Sequence, residues 1–413
     1  MRVLMITSDH LSTQSGTGAH VQFLSGALRR AGVEVVVAAM PVLTGEDGSP
    51  ADDVLRYPQI GPRIVWHEQG GDGLAGGRPA PEWTVARQAQ LNLGLVAGID
   101  RDQRFDLVHC HGFRPVPAAV ALCGIFGAPL VMSKHGSVLG VRLGDGTVVE
   151  SVGGWSPFSG WSPFILEYVR ATDHYGVANA EKVIVVSDAV RRDLLSDVDS
   201  AAKVVVIHNG AGLAKCARDC AARPEPGADA VIGLVGRLVP QKGVDVAVEA
   251  LALLGRENVR LRVAGAGPML EPLRRRAEEL GVGKRVEFAG TLDRDRLHRF
   301  LHDSDLIAAP SRWDAFPQSV CEAQAVGKLV VGTAVDGIVE QITDRETGLL
   351  CPPGDARALA GAFAWALDHP AEAARIGSAA AAAARGAYSW DAVAARTLEV
   401  YGEAVDRFHL SRG

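Results

Sequence analysis

Two carboxylates separated by seven residues, Asp314 and Glu322, stand in the stretch Pro310-Ser-Arg-Trp-Asp-Ala-Phe-Pro-Gln-Ser-Val-Cys-Glu-Ala-Gln-Ala-Val-Gly327. The apolar run that precedes it, Asp305-Leu-Ile-Ala-Ala-Pro310, has the character of a buried parallel strand. Pro317 suits the first position of a helix, where a missing N–H costs nothing. Asp314 then lies just ahead of the helix and Glu322 within it. The N–H groups of Gln318 and Ser319 lack partners in a first turn and point out of the strand's C-terminal edge, where the helix dipole stabilises an anion. A carboxylate ahead of such a turn can accept hydrogen bonds from sugar hydroxyls, and one farther along can hold a ribose. Plainer roles compete with these: Asp314 as an N-cap and Glu322 as a solvated helix residue.

Other reactive groups stand at equivalent places. Arg237 and Lys242 lie in Gly236-Arg-Leu-Val-Pro-Gln-Lys-Gly243, directly after the apolar run Val231-Ile-Gly-Leu-Val235. A guanidinium grips two oxygens and an ammonium supplies a compact charge, so the pair suits a pyrophosphate, against the alternative of ordinary surface cations. Two strands of the first half end in histidine, Asp106-Leu-Val-His-Cys-His111 and Pro129-Leu-Val-Met-Ser-Lys-His135. Ligands of open α/β sheets bind outside the carboxyl ends of strands, which places His111 and His135 for function, although a histidine there can be a satisfied turn residue. Trp155 and Trp161, in Gly154-Trp-Ser-Pro-Phe-Ser-Gly-Trp-Ser-Pro-Phe164, can stack on sugar faces or pin a loop to the core.

The elements that must position these groups read as repeated β-loop-α cycles. Arg2–Thr7 is a short apolar run, followed by the loop Ser12-Thr-Gln-Ser-Gly-Thr-Gly-Ala-His20, a helical pattern through Val21, Leu24, Leu28 and Ala31, and a second strand over residues 33–39. This is a parallel-sheet unit. Gly16 and Gly18 let backbone approach a ligand, but Val21 stands where a dinucleotide fingerprint needs glycine and Ala38-Ala-Met40 where it needs an acid, which argues against a nicotinamide or flavin site. Residues 41–90 are rich in Gly, Pro and Asp, with Ile64-Val-Trp-His67 as a short strand in a decorated insertion. Residues 216–230 lack an apolar face and read as a boundary. Beyond it come the helix Val244–Leu254, the strand Val259–Ala264 ending in Gly265-Ala-Gly-Pro268, a turn at Thr291 and Leu292, and a cycle that brings Asp336, Gly337 and Glu340 to the same edge. Ala-rich helices follow, and a last helix after Trp390 is expected to cross back onto the first domain.

Length and composition set the frame. A chain of 413 residues is expected to form two domains of about 200 residues each. With 47% hydrophobic and 22% charged residues it is an ordinary globular chain, and a net charge of −6 gives no reason to expect nucleic acid. Six cysteines are scattered, and Cys216-x-x-x-Cys220 has no second pair or His-x-x-x-His partner, so reduced thiols are expected rather than zinc. The first apolar run is too short for a signal peptide and no segment approaches eighteen apolar residues, so a cytoplasmic location is expected.

The motifs taken together resemble the retaining glycosyltransferases of family 4, also called glycosyl transferases group 1: Gly236-Arg237 with Lys242-Gly243, Gly265-Ala-Gly-Pro268, Asp314-x7-Glu322, Gly337 with Glu340, and Thr347-Gly-Leu-Leu-x-Pro-Pro-Gly-Asp355. The resemblance covers nearly the whole chain. It implies an α/β GT-B fold, two Rossmann-like domains with parallel sheets facing across a cleft: an acceptor-side domain over 1–215 joined by the helix at 390–413, and a donor-binding domain over 228–389. It implies that Arg237 and Lys242 bind the donor diphosphate, Glu322 holds the ribose, Asp314 contacts sugar hydroxyls and His135 lies beside the sugar. Gly16 and Gly18 approach from the opposite domain, backbone at Thr291 and Leu292 reads the base, and Phe316 with the amides of Gln318 and Ser319 completes the donor site. His111, Trp155 and Trp161 are the acceptor-side candidates. The implied reaction moves a hexose, of glucose or N-acetylglucosamine type, with retention from a nucleotide-diphosphate sugar, UDP-linked above all. The acceptor is a hydroxyl of a small molecule, glycan or lipid-linked compound. The reaction requires no metal and no cofactor, and a homodimer is compatible with it. Two departures stand out: Asp314 is one methylene shorter than the usual glutamate, and Pro317 replaces a common glycine. A nucleotide-sugar epimerase of the same fold, which needs an acid/base pair these motifs do not supply, and a catalytically silent sugar-nucleotide binder are the alternatives.

Overall fold

Strands that are apolar on both faces must be sandwiched between layers of helix, and β1 (Arg2–Thr7) meets that condition with Val3, Leu4, Met5 and Ile6 fully enclosed. The structure, a computed structural model, describes residues 1–8, 16–39, 54–56, 81–136, 141–142, 148–149, 163–212 and 229–412. From β1 the chain runs through α1 (Gly16–Arg30), β2 (Glu34–Ala39), β3 (Val54–Arg56), α2 (Pro81–Gly98), β4 (Leu107–His111), α3 (Val116–Phe126) and β5 (Leu130–Lys134). A two-residue antiparallel ladder, β6 (Val141–Arg142) with β7 (Val148–Val149), precedes α4 (Pro163–Asn179), β8 (Lys182–Val185), α5 (Asp188–Asp197) and β9 (Val204–Val206). Seven of these strands form one sheet in the order β3-β2-β1-β4-β5-β8-β9, parallel throughout.

The second half repeats the logic with β10 (Ala230–Val235), α6 (Val244–Leu254), β11 (Val259–Ala264), α7 (Leu270–Glu279), β12 (Val286–Gly290), α8 (Arg294–Asp303) and β13 (Leu306–Ala309). It continues with α9 (Gln318–Ala325), β14 (Val330–Thr333), α10 (Ile338–Gln341) and β15 (Leu349–Cys351). These six strands form a second parallel sheet, β12-β11-β10-β13-β14-β15, so crossovers lie on both sides of β10. Side-chain caps start several helices: Ser187 accepts from Val190 N at the head of α5, and Asp293 accepts from Arg296 N at the head of α8.

After α11 (Ala356–Asp368) and α12 (Pro370–Ala387), Ser389 caps α13 (Trp390–Leu410), which packs on the first half. The return is fixed where Ala211 N donates to Tyr388 O at 2.6 Å. Trp390, Val393, Val400, Tyr401 and Ala404 then pack in one core with Val21, Leu24 and Leu28 of α1 and with β1 and β2. Tyr401 is fully buried, and its hydroxyl meets His109 Nδ1 at 2.7 Å.

Three local expectations are corrected. The helix after β1 begins at Gly16, not after His20, so Gly16 and Gly18 lie in its first turn rather than in a loop. The stretch read as irregular up to residue 90 contains the start of α2. Pro317 is the N-cap of α9 with extended ψ, one step before the first helical position. The short strand expected at Ile64-Val-Trp-His67 lies outside the described residues, as does Cys216-x-x-x-Cys220. Among the described residues no helix is long and apolar enough to cross a membrane.

Tyr401→Phe removes the partner of a buried ring nitrogen while keeping the volume of the side chain. The expected loss of unfolding free energy is about 1–3 kcal/mol, read from the urea midpoint. An unchanged midpoint would show that the His109–Tyr401 contact does not hold α13 in place.

Candidate active site where the two sheets meet

Loops leaving the C-terminal ends of the two sheets touch, and a few polar groups fix how. Glu340, after β14, accepts from the backbone N–H of Asp188 and of Ala189, both at 2.9 Å, at the head of α5 in the other half. Unpaired first-turn amides and the positive end of the helix dipole both favour a carboxylate there. Burial alone would raise the Glu340 carboxyl, but His208 Nε2 at 3.3 Å and the two amides bring it below its ordinary value. The His208 ring stacks on Phe316 at 4.5 Å and 6°. Asn209 Nδ2 donates to the Phe316 carbonyl at 2.9 Å, and Asn209 Oδ1 meets His20 Nδ1 at 2.9 Å.

On the second-half side, the loop after β10 and the loop after β13 are stitched together. Arg312 donates to both carboxylate oxygens of Asp245, at 2.8 and 2.6 Å, and to Pro240 O at 2.7 Å. Gly243 sits at φ 64° with Pro310 O 2.0 Å from where a Cβ would be, so only glycine lets these loops approach this closely. The result brings the Lys242 ammonium onto the Asp314 carboxylate, which also accepts from Ser311 Oγ at 3.3 Å. Asp314 is therefore not an N-cap. Arg237 stands exposed in the same loop as Lys242 and makes no ion pair among the described residues. The first helical amides at Gln318 and Ser319 face no intrahelical carbonyl, while Val320 and Cys321 reach back to Pro317 O.

Glu322 is not a solvated helix residue either. It is 7% exposed and pairs with Arg294 Nη1 at 3.2 Å, and burial pushes its carboxyl above the ordinary value against the pull of that arginine. The Arg294 guanidinium in turn lies 4.3 Å from the centre of the Phe23 ring in α1. Thr291 and Leu292 lie between β12 and α8, one turn ahead of that same Arg294. At the neighbouring loop, Gly337 N donates to Asp314 O at 3.1 Å, and a Cβ on Gly337 would stand 1.9 Å from Ala315 O. Asp336 beside it adopts φ 29°, unusual for any residue but glycine.

The first-half side is built from histidines. A Cβ on Gly16, at the start of α1, would meet nothing within 4 Å among the described residues, and Gly18 is buried. His111 Nδ1 and His135 Nε2 approach to 3.1 Å, and the His20 ring lies 4.6 Å from that of His135. His109 stands behind, 4.1 Å from His111, with Nε2 at 2.7 Å from Ser133 Oγ. Burial, reinforced by the neighbouring rings, draws His109 and His135 down to about 3 and His20 and His111 well below their ordinary value, so all four are neutral. His111 is 1% exposed and stands behind His135. Trp155 and Trp161 lie outside the described residues.

The structure thus gathers Lys242 with Asp314 in the loops ahead of α9, sets Glu322 on α9 itself, and puts His135 and His111 together. The sequence reading missed His109, Asn209 and Arg294, and met His20 only as the end of a loop. For Asn209 the signal was available: it follows an apolar run at a sheet edge, the same topological cue that singled out His111.

Comparison with known proteins agrees with this architecture. Residues 14–215 match the family described as Glycosyltransferase Family 4 and residues 218–383 that described as Glycosyl transferases group 1. The chain is 31% identical over 412 residues to the glycogen synthase of Mycobacterium tuberculosis, covering 97% of this chain and 94% of that protein. It is 30% identical to the D-inositol 3-phosphate glycosyltransferase of Corynebacterium glutamicum, covering 98% and 97%. Among solved structures, Anabaena HepE in complex with UDP-glucose superposes with a TM-score of 0.70 at 19% identity, covering 97% of this chain and 99% of that one. The likeness establishes the GT-B fold.

Asp336 offers a test of the site's electrostatics. Burial, with the charge of Asp314 adding to it, pushes its carboxyl up to about 7. A carboxyl raised on folding contributes stability that is complete below its unfolded value near 4 and is lost as pH climbs through about 7. Asp336→Asn, which keeps the unusual backbone angle, should therefore gain on the wild type as pH rises from about 5 to about 8, by roughly 1–2 kcal/mol once solvent screening is allowed for. Urea unfolding across that window reads the difference, and a gap independent of pH contradicts it.

Proposed function

Because the chain belongs to the glycosyl transferases of group 1, family 4, which are retaining enzymes of GT-B fold, we propose that it transfers a glucose- or N-acetylglucosamine-type hexose from a UDP-linked donor to an acceptor hydroxyl. The observation that carries this reading is the Lys242–Asp314 pair set beside the amide end of α9, with Arg237 exposed in the same loop as Lys242. A diphosphate needs cations and amide donors, and a hexose needs a carboxylate next to them. The two charges satisfy each other in the structure. When the donor enters, its pyrophosphate takes Lys242 and Arg237, and Asp314 is released to accept from the sugar hydroxyls.

The remaining roles follow from position. Glu322, kept buried on α9, accepts from the ribose hydroxyls, and Thr291 and Leu292 present backbone to the base. Phe316 shapes the wall, and Gln318 and Ser319 offer their amides to the phosphates. The first turn of α1, at Gly16 and Gly18, closes on the donor from the other half, and His135 lies beside the sugar. The first half, completed by α13, serves as the acceptor side and the second half as the donor side. UDP is favoured by the UDP-glucose complex of the similar Anabaena structure. The relatives name different products, so the acceptor is confined to the class of hydroxyl compounds. A cytoplasmic site of action suits a nucleotide-sugar donor.

In this reading the acceptor oxygen attacks the anomeric carbon on the face from which the diphosphate departs, and a phosphate oxygen takes the acceptor proton. The bond from anomeric carbon to phosphate oxygen breaks, and configuration is kept. The chain's own contribution is electrostatic: Arg237, Lys242 and the α9 amides lower the energy of charge growing on the leaving group. Exclusion of water between the halves protects the donor from hydrolysis.

Lys242→Ala should lower turnover by about a hundredfold, equivalent to about 3 kcal/mol, in a chain that circular dichroism shows to be folded, with a melting temperature lowered by the unpaired Asp314 carboxylate. Near-normal turnover at saturating donor removes Lys242 from the site. Thermal-shift screening against UDP-, ADP-, GDP- and TDP-sugars identifies the base, and stabilisation by a different nucleotide in place of UDP corrects the donor assignment.

A further inference from the structure

Three imidazoles from three separate elements converge on the first-half face of the site: His20 in α1, His111 at the end of β4 and His135 just after β5. One ring nitrogen from each lies within 4.8 Å of one from each of the other two. The 3.1 Å between His111 Nδ1 and His135 Nε2 is close to the nitrogen–nitrogen spacing of about 3.3 Å that a tetrahedral zinc ion imposes on two histidine ligands. We propose that His20, His111 and His135 form a binding site for a divalent transition-metal ion of the zinc class.

The tautomer of His20 can be worked out from its neighbours. Asn209 uses its amide Nδ2 on the Phe316 carbonyl, which only accepts, so Asn209 Oδ1 is the acceptor facing His20. His20 Nδ1 therefore carries the proton, and its Nε2 presents a bare lone pair. A ring N–H held by an amide oxygen is the usual outer support of a metal-bound histidine. His111 Nδ1 faces His135 Nε2 and is the nitrogen that ring would turn to the ion, which leaves the proton on His111 Nε2, buried without a partner among the described residues. His109, by contrast, has Tyr401 on one nitrogen and Ser133 on the other, and is excluded as a ligand. Imidazole ligands suit zinc, copper, nickel or cobalt rather than magnesium or calcium, and a three-histidine set leaves a fourth position for water or an anion. The inference does not rest on the donor assignments, because metal binding is measured without a nucleotide sugar.

The test uses untagged full-length protein freed of metal by chelation and titrated with Co2+. One equivalent is expected to bind with the visible band of tetrahedral nitrogen coordination, without the near-ultraviolet band of a cobalt–thiolate bond, and Zn2+ should displace it. His135→Gln and His20→Gln should each weaken binding by at least about tenfold, and Asn209→Ala by about tenfold through the lost support of His20. Circular dichroism and melting temperature show whether each variant is folded. Absence of stoichiometric uptake by the parent chain overturns the proposal, as does uptake that persists in the folded His20 and His135 variants or that carries the thiolate band. Any of these results leaves the Lys242 experiment unaffected.

Discussion

A carboxylate supplied by one half of the chain to the open end of a helix in the other sets the geometry on which the site depends. Glu340 occupies both free amides at the head of α5, and His208 adds a third hydrogen bond. A helix cap of this kind contributes on the order of 1 kcal/mol. Its larger effect is directional, because it holds the loops after β8 and β9 against those after β13 and β14. The Phe316 ring on His208 and the Phe316 carbonyl on Asn209 lie beside this cap and share its orientation. Phe316 and Cys321 also enter the core of the first half, so the two halves meet through apolar as well as polar surface.

Within that frame each functional group is held by something distant in sequence. The Lys242–Asp314 pair spans 72 residues, and the Arg312–Asp245 fork beside it spans 67. Close backbone approach at Gly243 and Gly337 is what lets the three loops of the second sheet converge. Neither glycine could be exchanged for alanine without moving a carbonyl.

How much of this was legible in the residues varied with the physics of each segment. The second half could be read almost in full, because its βα cycles are regular: Val244–Leu254 and Val259–Ala264 stand where the apolar pattern put them. The first half was harder. The start of α1 is Gly-Thr-Gly, composed of poor helix formers, so the helix looked like a loop until tertiary packing on α13 decided otherwise. The buried side of α2 carries Gln88 and Asn92, and Asn92 bonds Gln88 O, Arg114 O and Ala118 N, so polar side chains erase the periodicity that marks an amphipathic helix. The spacing of Asp314 and Glu322 was visible, but their partners were not. Lys242 could be placed only at the right edge, and Arg294 gave no local sign that it would bury Glu322.

The return of α13 ties the end of the chain to its beginning. Tyr401 and Trp390 complete the core around α1, β1 and β2, so those three elements keep an open hydrophobic groove until α13 has been made. The second half, whose strands and helices are contiguous in sequence, has no such wait. Synthesis therefore runs in one order and maturation in another, and a nascent chain that stalls before α13 carries a finished second half attached to an unfinished first one.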